Sequence, residues 1–280
     1  MTKLLNTRRF LPLFITQFLG AFNDNMFKNA LVMFITYKLA SHVEGNAQIL
    51  VTLAAALFIL PYFLFSSLAG QMADKYDRAF MARATKLWEC VIVCIAAAGF
   101  YIGNVYFLLF VLFCLGVQAT FFGPIKYALL PQHLHANELL SGNGYIEAGT
   151  FLAILIGTIS GGILIMQEGG THFIAFVMIA VALLGYTSSR YISEAPPPMP
   201  TLIINWNIAR ETWRMMQYDR KTPRVWRSIL GISWFWFVGA TFLSQFPSFA
   251  KNTIGGDETV VTFFLALFSV GVGTGAMLCN

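Results

Sequence analysis

Phe22-Asn23-Asp24-Asn25-Met26-Phe27-Lys28-Asn29 puts an acid, a base and three amides inside a run that is otherwise apolar from Leu11 to Tyr37. Such a set suits a charged or zwitterionic group: the carboxylate accepts from an ammonium, the amine donates to a phosphate, and the amides serve either sign. As a helix rising 1.5 Å per residue across a bilayer, the run carries Asp24 roughly 20 Å from its start, near the midplane. A charge there costs at least ~2.5–3.5 kcal/mol on insertion scales, so it is kept only where it faces protein or water. Asp24 and Lys28 are four apart on one helix face, with Gln17 and Ala21 above them. Two readings stand: Asn23, Asp24, Asn25 and Lys28 touch something that moves across the membrane, or Asp24 and Lys28 are a neutralised structural pair.

The rest of the chain fits a membrane setting. Of 280 residues 57% are hydrophobic and 11% charged, with a mean hydropathy of +0.67. A soluble domain carries roughly 25% charged residues, so most of this surface must meet lipid. The net charge of +5 does not indicate nucleic acid, because the basic residues sit in loops between apolar spans. Cys90, Cys94, Cys114 and Cys279 all lie in apolar segments and the four histidines are scattered, so no zinc spacing forms. No metal or cofactor is expected. Met1 to Arg9 is short and basic, and the span after it is too long and too polar in its middle for a cleaved signal sequence.

Runs long enough to cross, about 20 residues each, fall at 11–37, 47–70, 81–102, 105–127, 139–166, 171–192, 228–250 and 259–279. Lys3, Arg8 and Arg9 precede the first. Lys75, Arg78, Arg83 and Lys86 lie between, or just inside, the second and third. Lys126 closes the fourth, and seven basic residues from Arg190 to Arg227 follow the sixth. The other side receives Lys38 and Lys251. This bias places the N-terminus in the cytoplasm, with an even number of spans before the long basic loop.

Three parts follow: a six-span bundle over 1–193, a cytoplasmic linker over 194–227, and the start of a second bundle over 228–280. Pro196, Pro197, Pro198 and Pro200 make the linker stiff and non-helical at first. Beyond them Leu202, Trp206, Ala209, Trp213 and Met216 recur at helical spacing, with Asn207, Arg210, Glu211 and Arg214 opposite. That pattern predicts an amphipathic helix, lying in the interface or capping the bundle from below. The last run stops at Asn280, just after Gly271-Val-Gly-Thr-Gly275, with no basic flank. The expectation is that the natural protein continues.

Further charges fall within the spans. Glu89, Lys126 and Glu147 lie by rise in the cytoplasmic half, below Asp24. Lys126 is near enough to the interface to snorkel and bind bulk lipid phosphate. Glu89 has Arg83 and Lys86 near it on its own helix, which favours local pairing, whereas Glu147 has no local base. Gly149, Ala153, Gly157 and Gly161, with Gly162 beside them, form a small-residue spine that lets helix backbones approach. Gly271 and Gly275 are a candidate matching surface. His133-Leu-His-Ala-Asn-Glu138 has the spacing of an acyltransferase His–Asp pair but ends in glutamate, and no nucleophile elbow or P-loop appears. An enzyme is not expected within these residues.

Gly70-Gln-Met-Ala-Asp74-Lys75-Tyr76-Asp77-Arg78, after the second span, resembles the loop of the major facilitator superfamily, with Lys75 and Asp77 as departures. Gly157-Thr-Ile-Ser-Gly161-Gly162 is similar to a fifth-span pattern of the same superfamily, with Thr158 where proline is usual. The resemblance implies an all-α integral membrane fold: the six-helix N-terminal bundle complete, plus the first two helices of the C-terminal bundle. Gly70, Asp74 and Arg78 would then form a conformational-switch loop, Asp74 meeting a helix N-terminus or an arginine across the two halves.

Gln17-Phe-Leu-Gly-Ala-Phe-Asn-Asp-Asn25, Phe122-Gly-Pro-Ile-Lys126-Tyr127 and Asn143-Gly-Tyr-Ile-Glu147-Ala resemble the lysophospholipid transporter branch. That implies inward movement of lysophosphatidylethanolamine-like lipids across the bacterial inner membrane, for repair by a fused or neighbouring acyltransferase. Membrane lipid and the lysophospholipid are the implied partners. The branch has a basic residue in the seventh span, whereas 228–250 holds only Gln245. On this reading Lys126 engages phosphate, Asp24 and Glu147 engage the amine or gate the path, and Lys28 holds Asp24 ionised. The alternative is a proton-coupled exporter of drugs or small metabolites, with Asp24 or Glu147 as proton carrier.

Overall fold

The computed structural model describes residues 4–38, 47–255 and 258–278. Cys279 lies outside them, and the side chains of Gln245 and Lys251 are also outside the described set. The helices are α1 (Leu11–Met33), α2 (Ala47–Lys75), α3 (Arg78–Ile102), α4 (Val105–His133), α5 (Leu139–Met166), α6 (Gly170–Ser189), α7 (Ile208–Arg220), α8 (Pro223–Phe249) and α9 (Glu258–Leu278). Among the described residues five of them, α2 to α6, are long and apolar enough to cross a membrane. The polar stripe keeps α1 out of that set.

Local chemistry sets the ends. Asp77 caps α3, its carboxylate accepting from the Phe80 amide at 2.6 Å. Gly103, at φ +70°, closes α3 in a left-handed turn, and Asn104 caps α4 by accepting from the Phe107 amide at 3.0 Å. A two-residue turn thus joins two spans. The fourth span was expected to end at 127, but α4 runs on to His133. Leu129, Leu130 and Leu134 there pack into an apolar cluster with Phe10, Leu13 and Ile192, which holds the extra turns in place despite Pro131.

Two compact units are present. The first comprises Met1–Ile204 and Gly273–Asn280, the second Asn205–Val272. In the first, α1 packs on α5 and α6, α3 on α4 and α6, and α2 on α4. Its interior is layered. One apolar cluster gathers Met26, Phe27, Phe34, Ile92, Phe100 and Leu112, with Phe27 and Phe34 edge-on to Phe100 at 5.5 and 5.6 Å. A second gathers Phe10, Leu13, Ala82, Phe122, Leu130 and Ile192. Between them along α1, α3 and α4 lie buried polar residues: Thr16, Gln17 and Asn23, then Thr85, Lys86 and Glu89, then Gln118 and Thr120.

In the second unit the amphipathic helix is shorter than the spacing predicts. It starts at Ile208, so Leu202 and Trp206 lie outside it. Asn207 caps it by accepting from the Arg210 amide at 3.0 Å, and Asn205 accepts from the Asn207 amide at 3.1 Å. Two asparagines bonding their own backbone make a turn where the apolar periodicity alone suggests helix. Trp206 and Trp213 stay 73% and 57% exposed.

Candidate functional site

The stripe on α1 is oriented by its neighbours on two sides. On one, the α5 spine closes on the α1 backbone: a Cβ at Gly157 would collide with the Phe22 carbonyl, and one at Gly161 with the Met26 carbonyl. At Gly149 it would reach the Phe14 ring at 2.6 Å, and at Gly162 the Asn29 amide at 2.9 Å. Side chains stitch the same seam: Asn29 donates to the Thr158 carbonyl at 2.7 Å, and Thr150 donates to Gln17 at 2.9 Å. Within the six-helix bundle the spine packs against α1. Small residues announce a close approach without naming the helix that makes it.

On the other side stands α3. Lys86 donates to Glu89 at 2.6 Å, and both residues are 1% exposed. Glu89 also accepts from Asn23 and from Gln118, each at 3.3 Å, while Asn23 donates to the Met178 carbonyl at 3.3 Å. The Lys86 amine sits 4.8 Å over the Phe122 ring and directly against Gly20 of α1. This network joins α1, α3, α4 and α6. The pairing of Glu89 with Lys86 agrees with the sequence reading; that Lys86, placed there between or just inside the spans, is almost fully buried was not legible. The overlooked signal was a base and an acid three apart on a buried face, with Gln118 polar in the middle of an apolar span.

Asp24, Lys28, Lys126 and Glu147 remain partly exposed. Lys28 does not pair with Asp24 among the described residues. Its amine donates to the Asn25 carbonyl oxygen at 3.0 Å and lies 5.4 Å over the Phe58 ring. Asn25 is arranged for this: its amide nitrogen donates to the Ala21 carbonyl at 2.8 Å, which leaves its oxygen facing the lysine. The expected local salt bridge is thus replaced by an amide contact. Asp24 Oδ1 is buried and has no hydrogen-bond partner among the described residues. The charges acting on Asp24 are Glu89, Lys86, Lys28 and Lys126.

Lys126 and Glu147 come together around Tyr127, which the sequence reading gave no role. The Lys126 amine lies 4.8 Å over that ring, and the Tyr127 hydroxyl donates to Glu147 Oε1. Glu147 and Asp24 are the acids whose charge acts on Lys126. One polar face thus carries an unpaired carboxylate, an ammonium held by an amide, a second ammonium, and a carboxylate bound to a phenol.

The loop after α2 forms a separate cluster. Asp74 meets Arg78 at 3.0 Å within its own segment, and Arg78 also donates to the Ala73 and Ala128 carbonyls at 3.1 and 3.2 Å. Gly70 falls in the last turns of α2. Asp77, one of the departures from the superfamily pattern, serves as the α3 cap and accepts from the Ala195 amide at 3.1 Å. Arg78 and Met199 donate from their amides to the Ala195 and Asp74 carbonyls at 3.0 and 2.9 Å, so the proline-rich segment straps across this loop. The His133–Glu138 pair makes no catalytic dyad. Glu138 accepts from Arg9 at 2.5 Å and from the His135 amide at 2.9 Å, which occupies both of its oxygens.

A six-helix unit, the Gly70–Arg78 loop and the α1–α5 glycine seam together define the class. The Major Facilitator Superfamily profile matches residues 13–280, and the chain belongs to that family. It is a multi-pass, all-α membrane protein.

Among characterised relatives it is similar to the lysophospholipid transporter LplT of Serratia proteamaculans (strain 568), at 26% identity over 97% of this chain and 65% of the relative. The transporters of the same name from Shigella boydii serotype 4 (strain Sb227) and Escherichia coli O139:H28 (strain E24377A / ETEC) are each 27% identical over 94% of this chain and 63% of theirs. The chain spans just under two thirds of the length of these curated relatives.

Proposed function

We propose that this protein carries lysophospholipids across the bacterial inner membrane, N-terminus in the cytoplasm, for reacylation by a fused or neighbouring acyltransferase. The observation that carries the reading is the mixed-sign polar face, with Asp24 unpaired and Lys126 free of any ion pair among the described residues. A zwitterionic phospholipid head needs both signs at once, and the transport named for the relatives agrees with it.

In this mechanism the Lys126 ammonium takes the phosphate and Asp24 takes the headgroup amine. Glu147, held by Tyr127, is a second acceptor that opens when the phenol turns away. The acyl chain needs no polar partner and stays in lipid, beside the exposed apolar sides of the spans. Asp74 and Arg78 form the switch loop, and the glycine seam keeps α1 and α5 moving as one body.

A second reading keeps the fold and changes the cargo: a proton-coupled exporter, in which the unpaired Asp24 carboxylate carries the proton. Uptake of a monoacyl phosphatidylethanolamine into vesicles holding the intact protein, with and without an imposed proton gradient, separates the two. Uptake indifferent to the gradient is expected. Gradient-driven efflux of small solutes with no lipid uptake overturns the lysophospholipid reading.

A further inference from the structure

Gly20 and Asp24 are four apart, so they stack on one face of α1, and helical side chains lean back towards the N-terminus. Asp24 therefore leans towards Gly20, where the Lys86 amine is lodged. Lys86 is among the charges that act on Asp24. Yet the amine bonds Glu89 at 2.6 Å, and Asp24 Oδ1 goes without a partner. The ammonium whose charge acts on Asp24 is thus already held by the carboxylate of Glu89. We propose that Glu89 is a positioning residue: by occupying Lys86 it keeps Asp24 unpaired and available to the cationic part of a substrate. Lys86 and Glu89 touch no substrate themselves.

The arrangement has the parts such a role needs. Gly20 leaves room for the amine between helices, since any Cβ there would overlap it. Phe122 covers the amine from the other side, and Gln118 and Asn23 fix the Glu89 carboxylate from α4 and α1. Asn23 directly precedes Asp24, so the bond that orients Glu89 also sets the rotation of the residue before the site. Removing the Glu89 charge leaves Lys86 buried with a single acid in reach, and an uncompensated buried charge takes whatever counterion is near.

The identity of the substrate rests on the reading above; the pairing does not, and the test separates them. The intact protein in vesicles is treated with a hydrophobic carbodiimide, and modification of Asp24 is followed by mass spectrometry with no lipid substrate added. Asp24 is expected to react in the parent, to be protected about tenfold in Glu89→Gln, and to react again in Lys86→Met/Glu89→Gln. Equal reactivity in the parent and Glu89→Gln overturns the proposal. If Glu89→Gln does not insert, Glu89→Asp, whose shorter arm loosens its hold on Lys86, gives intermediate protection, and parent-level reactivity there overturns it as well.

Transport supplies the second arm. Glu89→Gln raises the apparent KM for a monoacyl phosphatidylethanolamine about tenfold but that for the amine-free phosphatidylglycerol analogue much less, and adding Lys86→Met removes the difference. A purely structural pair shifts both lipids alike. Absence of lipid transport in the parent counts against the lysophospholipid reading alone, with the labelling still deciding the role of Glu89.

Discussion

Two sets of charges lie at nearly the same level of the bundle and are treated in opposite ways. Lys86 and Glu89 are sealed, paired at 2.6 Å, with Glu89 bonded from α1 and α4. Asp24, Lys28, Lys126 and Glu147 are partly open, and none of them has an ion-pair partner among the described residues. A sealed pair is satisfied by the protein and has nothing left to offer a ligand. An open, unsatisfied set costs stability unless water or a bound headgroup completes it. Burial and satisfaction therefore divide the two sets along the same line.

The contrast predicts opposite losses. Breaking the sealed set is the largest effect: Lys86→Ala or Glu89→Ala should destabilise the bundle by about 3–5 kcal/mol, because the remaining charge is left alone. Thermal unfolding in detergent measures this, and an unchanged midpoint would place the pair in water. Next is Asp24→Asn, expected to lower transport of an amine-bearing lysolipid by roughly 100-fold while leaving stability equal or higher, since charge-assisted bonds are worth ~1.5–3 kcal/mol. Transport that survives in a folded Asp24→Asn protein makes the stripe architecture.

Lys126→Gln comes third, with about a tenfold rise in apparent KM for any phosphate-headed lipid, zwitterionic or anionic, from loss of one such bond. A selective loss of amine-bearing lipids would reverse the roles given to Lys126 and Asp24. The smallest effect is Tyr127→Phe, which frees Glu147 from one neutral donor and should change uptake by roughly threefold, the scale of a hydrogen bond worth ~0.5–1 kcal/mol. Comparing it with Tyr127→Phe/Glu147→Gln sharpens the point, because the phenol has no further effect once Glu147 is gone.

Much of the fold was readable from particular residues. Apolar runs mark spans two to six, and Gly103-Asn104 marks a turn in which one residue ends a helix and the next begins another. The candidate site is legible as a set of residue types on α1, α4 and α5. Partnership was not. Spacing suggested that Lys28 would meet Asp24, but Asn25 lay between and its oxygen was free. Charge counting placed Lys86 just inside the third span but did not show that it is sealed between two apolar layers of the bundle. The glycine spine indicated a close approach, and only coordinates named α1 as the partner. Periodicity reports which face is polar; which neighbour satisfies it depends on helices distant in sequence.

The placement of α1 bears on how the protein is made. It precedes α2 to α6 in the chain, and it is not apolar enough to be counted with those five spans. Lys28 and Asn25 find partners within α1, but the groups that meet Gln17, Asn23 and Asn29, on α3, α5 and α6, are synthesised later. A newborn α1 therefore lacks reason to stay in lipid on its own, and has to wait beside the insertion machinery until α3 and α5 arrive. Stable burial of α1 is then expected to depend on helices that follow it in the chain.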